Sequence, residues 1–517
     1  MPAKLVGKAA TAPPRPSQTS PVPLPVLAGR AGGRLVSGGA DPNEVSVTGV
    51  TLRAQHVRPG DIFAALPGAN AHGADFADTA VANGAIAVLT DEAGAGRPGL
   101  AEIPVLVHED PRQAVGPVAA WVYGEPSLRL SVVGITGTSG KTTTSYLVES
   151  GLRAAGRTTG LIGTVETRIA GQRLDSAFTT PEAPDLQALL AVMAERGVSH
   201  AAMEVSSHAL RLGRVGGTRF TVGAFTNLSQ DHLDFHEDME DYFQAKRLLF
   251  DGRSTVEVVC TDGTWGRRLV TPHTVTVSTE GEGDWTATDL RSNTAGQQSF
   301  VVHGPHGLRL DATLPMPGTF NVANALVAAA CLHALGVGPD AIGTGLSTVE
   351  VPGRMEPVAV GQDFTAVVDY SHKPAAVALA LDAMRARTGG RVIVVLGCGG
   401  DRDAAKRPLM GEAAARRSDL LIVTDDNPRS EDPAAIRAAM LAGASAVPAA
   451  QRGEVIDIGD RRAAIAAAVD RAEPGDVVVI AGKGHETGQE IAGVVYPFDD
   501  RDELRAAIER RVGGVSS

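Results

Sequence analysis

The chain has 517 residues, with 47 Lys and Arg against 59 Asp and Glu for a formal charge of −12. That balance opposes nucleic-acid binding, which needs a basic footprint, but a few local cations and helix N-termini suffice for one small phosphate-bearing ligand. Hydrophobic residues at 43% supply packed cores, and Gly plus Pro at about 18% stays below the roughly 25–30% of low-complexity chains. At roughly 100–200 residues per domain the length suggests about three domains. Cys260, Cys331 and Cys398 are far apart and odd in number, so neither a disulfide framework nor a CxxC metal site is available, as expected of a reducing cytoplasm. The N-terminal stretch lacks the apolar core of a secretory signal. No apolar run reaches the roughly 18 residues of a membrane span, so a cytoplasmic protein without membrane insertion is expected.

In chain order, residues 1–25 are rich in Pro, Ser, Thr and Ala and read as a disordered, extended tail. Residues 26–128 form a first unit, with short strand-like runs such as VSVTGVTL and AIAVLT between turn signals at Pro59-Gly60 and Pro67-Gly68. Residues 129–351 open on the apolar strand LSVVGIT, a Gly-rich loop and the helical run TTTSYLVESGLRAAG, and continue through strand candidates SHAAMEV and FTVGAFTN. Residues 352–517 start at Pro352-Gly353 and alternate the strands TAVVDY, RVIVVLGCG, DLLIVTDD and DVVVIAG with helical stretches. Alternating strands and helices indicate an α/β fold with mainly parallel sheets. In such sheets ligands bind at the carboxyl ends of the strands.

The strongest local signal is Gly137-Thr138-Ser139-Gly140-Lys141-Thr142-Thr143, between a strand and a helix. Glycines let backbone N–H groups turn toward phosphate, and the helix N-terminus adds partial positive charge. Lys141 suits β/γ-phosphate oxygens and the Thr142 hydroxyl suits Mg²⁺. The general phosphate-loop pattern has Gly where this chain has Ile135, so the loop is a variant form. It points to ATP or GTP binding without fixing the reaction.

The form GTxGKTT resembles the phosphate loop of the Mur ligase family, the ATP-dependent amide-forming enzymes of peptidoglycan precursor synthesis. Further landmarks of that family are matched in order by Glu204 in MEVSSHAL, His232 in DHLDFH, Asn321 and Asn324 in GTFNVANAL, Arg354 in GRMEP and Asp369 in DYSHKP. The resemblance covers nearly everything after the tail. It implies three α/β domains: an N-terminal uridine-nucleotide domain, a central P-loop ATPase-like domain with a parallel sheet, and a C-terminal Rossmann-like amino-acid-binding domain. Within the family, Asp426-Asn427-Pro428-Arg429 and the loop Gly482-Lys483-Gly484-His485-Glu486 resemble the motifs of members that add meso-diaminopimelate to UDP-N-acetylmuramoyl-L-alanyl-D-glutamate. Alternatives are a ligase that uses L-lysine, another Mur-type ligase or a folylpolyglutamate synthetase. From other classes come a P-loop NTPase switch and a non-catalytic scaffold; intact Lys141, Glu204 and His232 speak against the scaffold.

Several site expectations follow. Diaminopimelate carries a second carboxylate that lysine lacks, and a guanidinium holds a carboxylate in bidentate fashion. Arg429 is the candidate fork, Arg402 a second one, Glu486 the acceptor for the distal ammonium, and Asn427 both donor and acceptor. Thr142, Glu204 and His232 form an oxygen and imidazole set for Mg²⁺ near the γ-phosphate. Lone Glu and His residues are more often structural, and their linkage to a phosphate loop is what favours ligation here. The resemblance adds Lys246 as a carbamylated lysine, with a carboxylate-like group as a further metal ligand. It also places Asn321, Asn324, Arg354, Asp369 and His372 around ATP, and Thr179, Thr180, Ser206 and Arg214 around the muramoyl peptide. Many relatives read Asp-Ser-Arg where this chain has Arg53-Ala54-Gln55, so the Ser hydroxyl associated with the uridine diphosphate is absent. Lys373 stands where relatives often have Thr. Small-molecule substrates and a monomeric state are expected.

Overall fold

The computed structural model describes residues 13–38, 40–174, 179–293 and 296–514. Among these, three larger sheets follow one another along the chain. The first has five strands in the order Arg34–Val36, Val105–Val107, Ala87–Thr90, Asp61–Ala64 and Gly49–Thr51. It is parallel except at Arg34–Val36.

The central sheet has eleven strands. Seven are mutually parallel: Thr159–Ile162, His200–Glu204, Ser131–Thr136, Phe220–Phe225, Ser254–Cys260, Val275–Ser278 and Trp285–Ser292. Antiparallel hairpin strands extend it at both edges. Side chains alternate across a strand, so Val133 and Ile135 face the helices Lys141–Ala154, Thr319–Ala334 and Pro339–Thr348, while Val132 faces Ala183–Glu195.

The third sheet runs Glu356–Pro357, Thr365–Asp369, Val477–Ala481, Val392–Leu396, Leu420–Val423 and Glu454–Asp457, parallel beyond its first pair. Its inner strands are buried on both faces, hence their continuous Val, Ile and Leu runs. Val392, Val394 and Leu396 pack under helices Pro374–Arg385, Lys406–Ala415 and Pro433–Ala446. Ile393 and Val395 pack under Arg461–Arg471 and Asp500–Gly514. Those last two helices are also joined by a fully buried ion pair, with Arg461 Nε and Nη2 donating to the two oxygens of Asp500 at 2.8 and 2.7 Å.

The disordered tail expected up to residue 25 is corrected. Residues 1–12 lie outside the described residues, but from residue 13 onward the segment is anchored. Arg15 pairs with the buried Asp61 at 2.7 Å, Thr19 donates to Thr48 O, Val22–Pro23 pairs with Ser46–Val47, and Leu24 already lies in a helix core. A buried cation with a matching carboxylate and a fixed edge strand outweigh the extended bias of the Pro-rich composition. No helix among the described residues is long and apolar enough to cross a membrane. All three cysteines are free and buried.

Candidate functional site

The site starts at the carboxyl ends of three adjacent central strands, where Glu204 pairs in register with Ile135 and Phe225 with Thr136. Each strand ends in a loop at the same edge, so the phosphate loop is flanked by residues 205–206 and 226–232. Gly137 (φ 148°) and Gly140 (φ 87°) adopt backbone conformations that L side chains rarely take, and a Cβ on Gly140 would overlap Asn324. The loop is braced from the neighbouring strand end. Thr138 N donates to Asn227 O at 2.9 Å, Ser139 N to Asn227 Oδ1 at 3.0 Å, and Thr226 Oγ1 to Ser139 O at 2.6 Å. Two loop N–H groups are therefore already satisfied, and the unpaired donors of a helix's first turn lie from Lys141 onward. Thr142 and Thr143 are buried in that turn.

Three lysines converge on this loop. Lys141 Nζ donates to Gly137 O and Thr138 O at 2.9 and 3.0 Å, and Lys246 Nζ to the same Gly137 O at 2.9 Å. Lys373 Nζ donates to Thr138 O at 3.0 Å and lies 2.7 Å from Asp231. Burial and the neighbouring Lys373 ammonium lower the Lys141 pKa to about 8. Burial, then Lys141 and Lys373, push Lys246 well below the ordinary lysine value, and its ammonium lies 4.5 Å from the Tyr242 ring centre. Burial alone would raise the Asp231 carboxyl, but the His232 hydrogen bond and the Lys373 charge outweigh it and hold the group well below the carboxylate range.

Glu204 is buried, with Oε1 accepting from Thr164 N at 2.8 Å and Oε2 from Thr164 Oγ1 at 3.1 Å. His232 has φ 54°, is half exposed, and its Nε2 lies 3.0 Å from Asp231. Its ring stands edge-on to His208 at 4.9 Å. Among the described residues no three His, Cys, Asp or Glu side chains form a metal cage. The set Thr142, Glu204 and His232 contains only two such residues, which suits Mg²⁺, an ion that keeps several waters and takes phosphate oxygens. Beside Glu204, Thr179 Oγ1 contacts Thr164 Oγ1 at 3.0 Å, Thr180 Oγ1 donates to Glu204 O at 2.9 Å, and Ser206 caps the helix Ser207–Arg211. Arg214 donates to Thr180 O and pairs with Glu182.

The third domain meets the second at this loop. Arg354 Nη2 donates to Thr142 Oγ1 at 3.2 Å while its guanidinium stacks 4.2 Å from the Tyr370 ring centre. Asp369 accepts from Met355 N and Ser371 N, both at 2.8 Å. His372 Nδ1 bonds Tyr370 O at 2.7 Å, and burial with the Lys373 and Lys406 charges depresses its pKa to about 3. Asn321 and Asn324, one helical turn apart and buried, bond Pro317 O and each other. Gly353 (φ 67°) sits so close to the Gly484–His485 backbone that a Cβ there would overlap it.

At the carboxyl edge of the third sheet, the 426–429 and 482–486 loops interlock. The fully buried Lys483 Nζ donates to Asn427 Oδ1 at 3.0 Å and Glu486 Oε2 at 3.1 Å, and lies 3.6 Å from Asp426. Asn427 Nδ2 donates to Glu486 at 2.8 Å, and Gly482, at φ 116°, leaves no room for a Cβ beside Asp426. Burial and the Asp426 charge raise the Glu486 carboxyl, with Lys483 opposing them. Pro428 O accepts from Glu431 N and closes that turn. Arg429, at φ 51°, donates to Gly400 O at 2.6 Å and lies 3.4 Å from Glu490.

Glu486 engages Lys483 and Asn427 through Oε2 alone, and its side chain stays 32% exposed. Arg402, the second candidate fork, is exposed and bonds the carbonyl of its neighbour Asp401. Lys373, Asp231, Asn227 and Lys483 were missed as site residues. Each has a partner 56 to 235 positions away that only the fold brings near, and the one local hint was the unusual lysine in DYSHKP.

Family models match in sequence along the chain: "Mur ligase family, catalytic domain" at residues 46–121, "Mur ligase middle domain" at 135–332 and "Mur ligase, glutamate ligase domain" at 353–484. The chain belongs to the Mur ligase family. One relative in the Mur ligase family, the UDP-N-acetylmuramoyl-L-alanyl-D-glutamate--2,6-diaminopimelate ligase of Streptomyces avermitilis, is 55% identical over 97% of this chain and 99% of its own length. The protein of the same name from Corynebacterium glutamicum is 53% identical over 87% of this chain and 89% of its own. A solved structure bearing that ligase name superposes with a TM-score of 0.68 at 31% identity, covering 95% of this chain and 100% of that one. A MurF structure from Acinetobacter baumannii, at 20% identity and a TM-score of 0.64, shares the fold.

Proposed function

We propose that the chain joins meso-2,6-diaminopimelate to the D-glutamate side-chain carboxylate of UDP-N-acetylmuramoyl-L-alanyl-D-glutamate at the expense of ATP. The observation that carries this reading is the interlocked pair of loops at the third sheet's carboxyl edge, with Arg429 beside a buried Lys483–Glu486–Asn427 network. The names of the Streptomyces and Corynebacterium relatives support it.

A free carboxylate is a poor electrophile, so activation comes first. The glutamate carboxylate oxygen attacks the γ-phosphorus, ADP leaves, and an acyl phosphate forms. The diaminopimelate amine then attacks the acyl carbon, a proton is lost, and the tetrahedral intermediate expels phosphate to leave an amide. Phosphoryl transfer is chiefly positioning and charge stabilisation. Lys141 serves the β/γ-phosphates, and the helix N-terminus from Lys141 to Thr143 adds its dipole. Asn321, Asn324, Arg354, Asp369 and His372 border the nucleotide between the domains. Thr142, Glu204 and His232 would hold Mg²⁺, which when bound neutralises phosphate charge. Lys246, whose burial favours the free amine, is suited to take up CO₂ as a carbamate with release of a proton, which would add a negative oxygen pair to that set. Thr179, Thr180, Ser206 and Arg214 hold the peptide arm, and Arg429 the distal carboxylate of diaminopimelate, with Asp426, Asn427 and Gly482 shaping its pocket. These precursors belong to the cytoplasm, and a single chain carries every part of the site.

Phosphate release is measured from purified protein with Mg-ATP, the muramoyl dipeptide nucleotide, and either diaminopimelate or L-lysine. Diaminopimelate supports turnover in this reading. Turnover with lysine but not with diaminopimelate would refute the specificity, because a guanidinium left without its carboxylate partner disfavours lysine.

A further inference from the structure

We infer that Lys373 is a phosphate-binding residue that the third domain delivers in trans to the terminal phosphates of the nucleotide. The inference rests on the proposal that the 137–143 loop binds ATP. Lys373 immediately precedes the helix Pro374–Arg385 of the third sheet, yet both partners of its ammonium, Asp231 and Thr138 O, belong to the central domain. Its side chain is only 9% exposed, and a stem buried this far across a domain boundary is not a solvated surface charge.

Two arguments point to a phosphate. The first is charge. The ammonium groups of Lys141 and Lys373 share Thr138 O. Asp231 pairs with Lys373 but also faces His232, and both oxygens of Glu204 are engaged by Thr164. Two cations thus meet on one carbonyl, with the Asp231 charge divided between Lys373 and His232, and buried cations of this kind are relieved by an incoming anion. The second is donor count. An ammonium has three N–H donors, and Asp231 with Thr138 O takes two from Lys373, which leaves one for a ligand oxygen. Lys141 serves the β/γ-phosphates, and Lys373 is tied to the same carbonyl. A cation carried by the third domain acts only when the domains are together, so it makes the triphosphate itself favour closure.

The test uses the full chain and calorimetric binding of ADP and of the β,γ-imido analogue of ATP with Mg²⁺. Lys373→Met is expected to weaken the analogue at least about tenfold, equivalent to about 1.4 kcal/mol, and to change ADP binding far less; Lys373→Arg restores most of the difference. Unchanged analogue affinity, or an equal loss for ADP and analogue, overturns the inference. If Lys373→Met does not fold, Lys373→Gln is read by the same criteria. Failure of the wild type to bind either nucleotide, or indifference to Lys141→Ala, would instead defeat the underlying ATP assignment.

Discussion

Asp500→Ala isolates the contribution of the buried pair that ties the last helix to the third sheet. Arg461 and Asp500 have no exposed side-chain surface and meet through two hydrogen bonds; Arg461 also donates to Ala481 O at 2.9 Å, one residue before the 482–486 loop. Removing the carboxylate strands a guanidinium in a low-dielectric interior, at a cost of about 3–5 kcal/mol. For a folding unit of this size that corresponds to a fall of about 6–20 °C in Tm. Replacing both partners by apolar groups, as in Arg461→Met with Asp500→Leu, removes the stranded charge and leaves mainly the Ala481 carbonyl unpaired, about 1 kcal/mol. Differential scanning calorimetry of the full chain reads both. The reasoning fails if the double variant is as damaged as Asp500→Ala, since lost packing rather than uncompensated charge would then be responsible, or if the single variant loses less than about 1 kcal/mol.

Further outcomes follow from the same geometry. Lys141→Ala abolishes phosphate release while circular dichroism and the melting profile stay native; retained turnover would remove the loop from the chemistry. Gly140→Ala weakens nucleotide binding by more than about tenfold, because its left-handed backbone and the overlap with Asn324 both resist a Cβ. Asp185, raised to about 6 chiefly by burial, is a group whose folded pKa exceeds its unfolded value. Its protonated form is fully present below about pH 4, and its contribution is lost as pH rises through about 6. Asp185→Asn is therefore expected to stabilise the protein by roughly 1–3 kcal/mol at pH 8 and by little at pH 4, as read by thermal melts at the two pH values. Lys483→Met leaves Asp426 and Glu486 facing each other without their cation and drives Glu486 further toward its neutral form. Since a raised carboxyl loses stability with rising pH, that variant should melt nearer to wild type at pH 5 than at pH 8.

What the sequence disclosed depended on whether the determinant was local. The phosphate loop was legible because an apolar strand, two glycines and a helix start are contiguous. The third sheet was legible because strands buried on both faces read as unbroken runs of Val, Ile and Leu. Lys373 and Asp231 were not legible: they are 142 positions apart, and their ion pair exists only once two domains meet. Lys483 was quoted within a motif, but its engagement with Asn427 depends on a loop 56 positions earlier. The tail expectation ended too late for the same reason, since Arg15 finds its carboxylate 46 positions downstream.

The close seating of Gly353 on the Gly484–His485 backbone works like a gear tooth at the joint between two bodies. Any swing of the third domain about residue 353 must carry the loop that holds Lys483 and Glu486 with it. On the proposed function, filling the amino-acid pocket and closing over the nucleotide would then be one movement, and each ligand would tighten the other by the same factor.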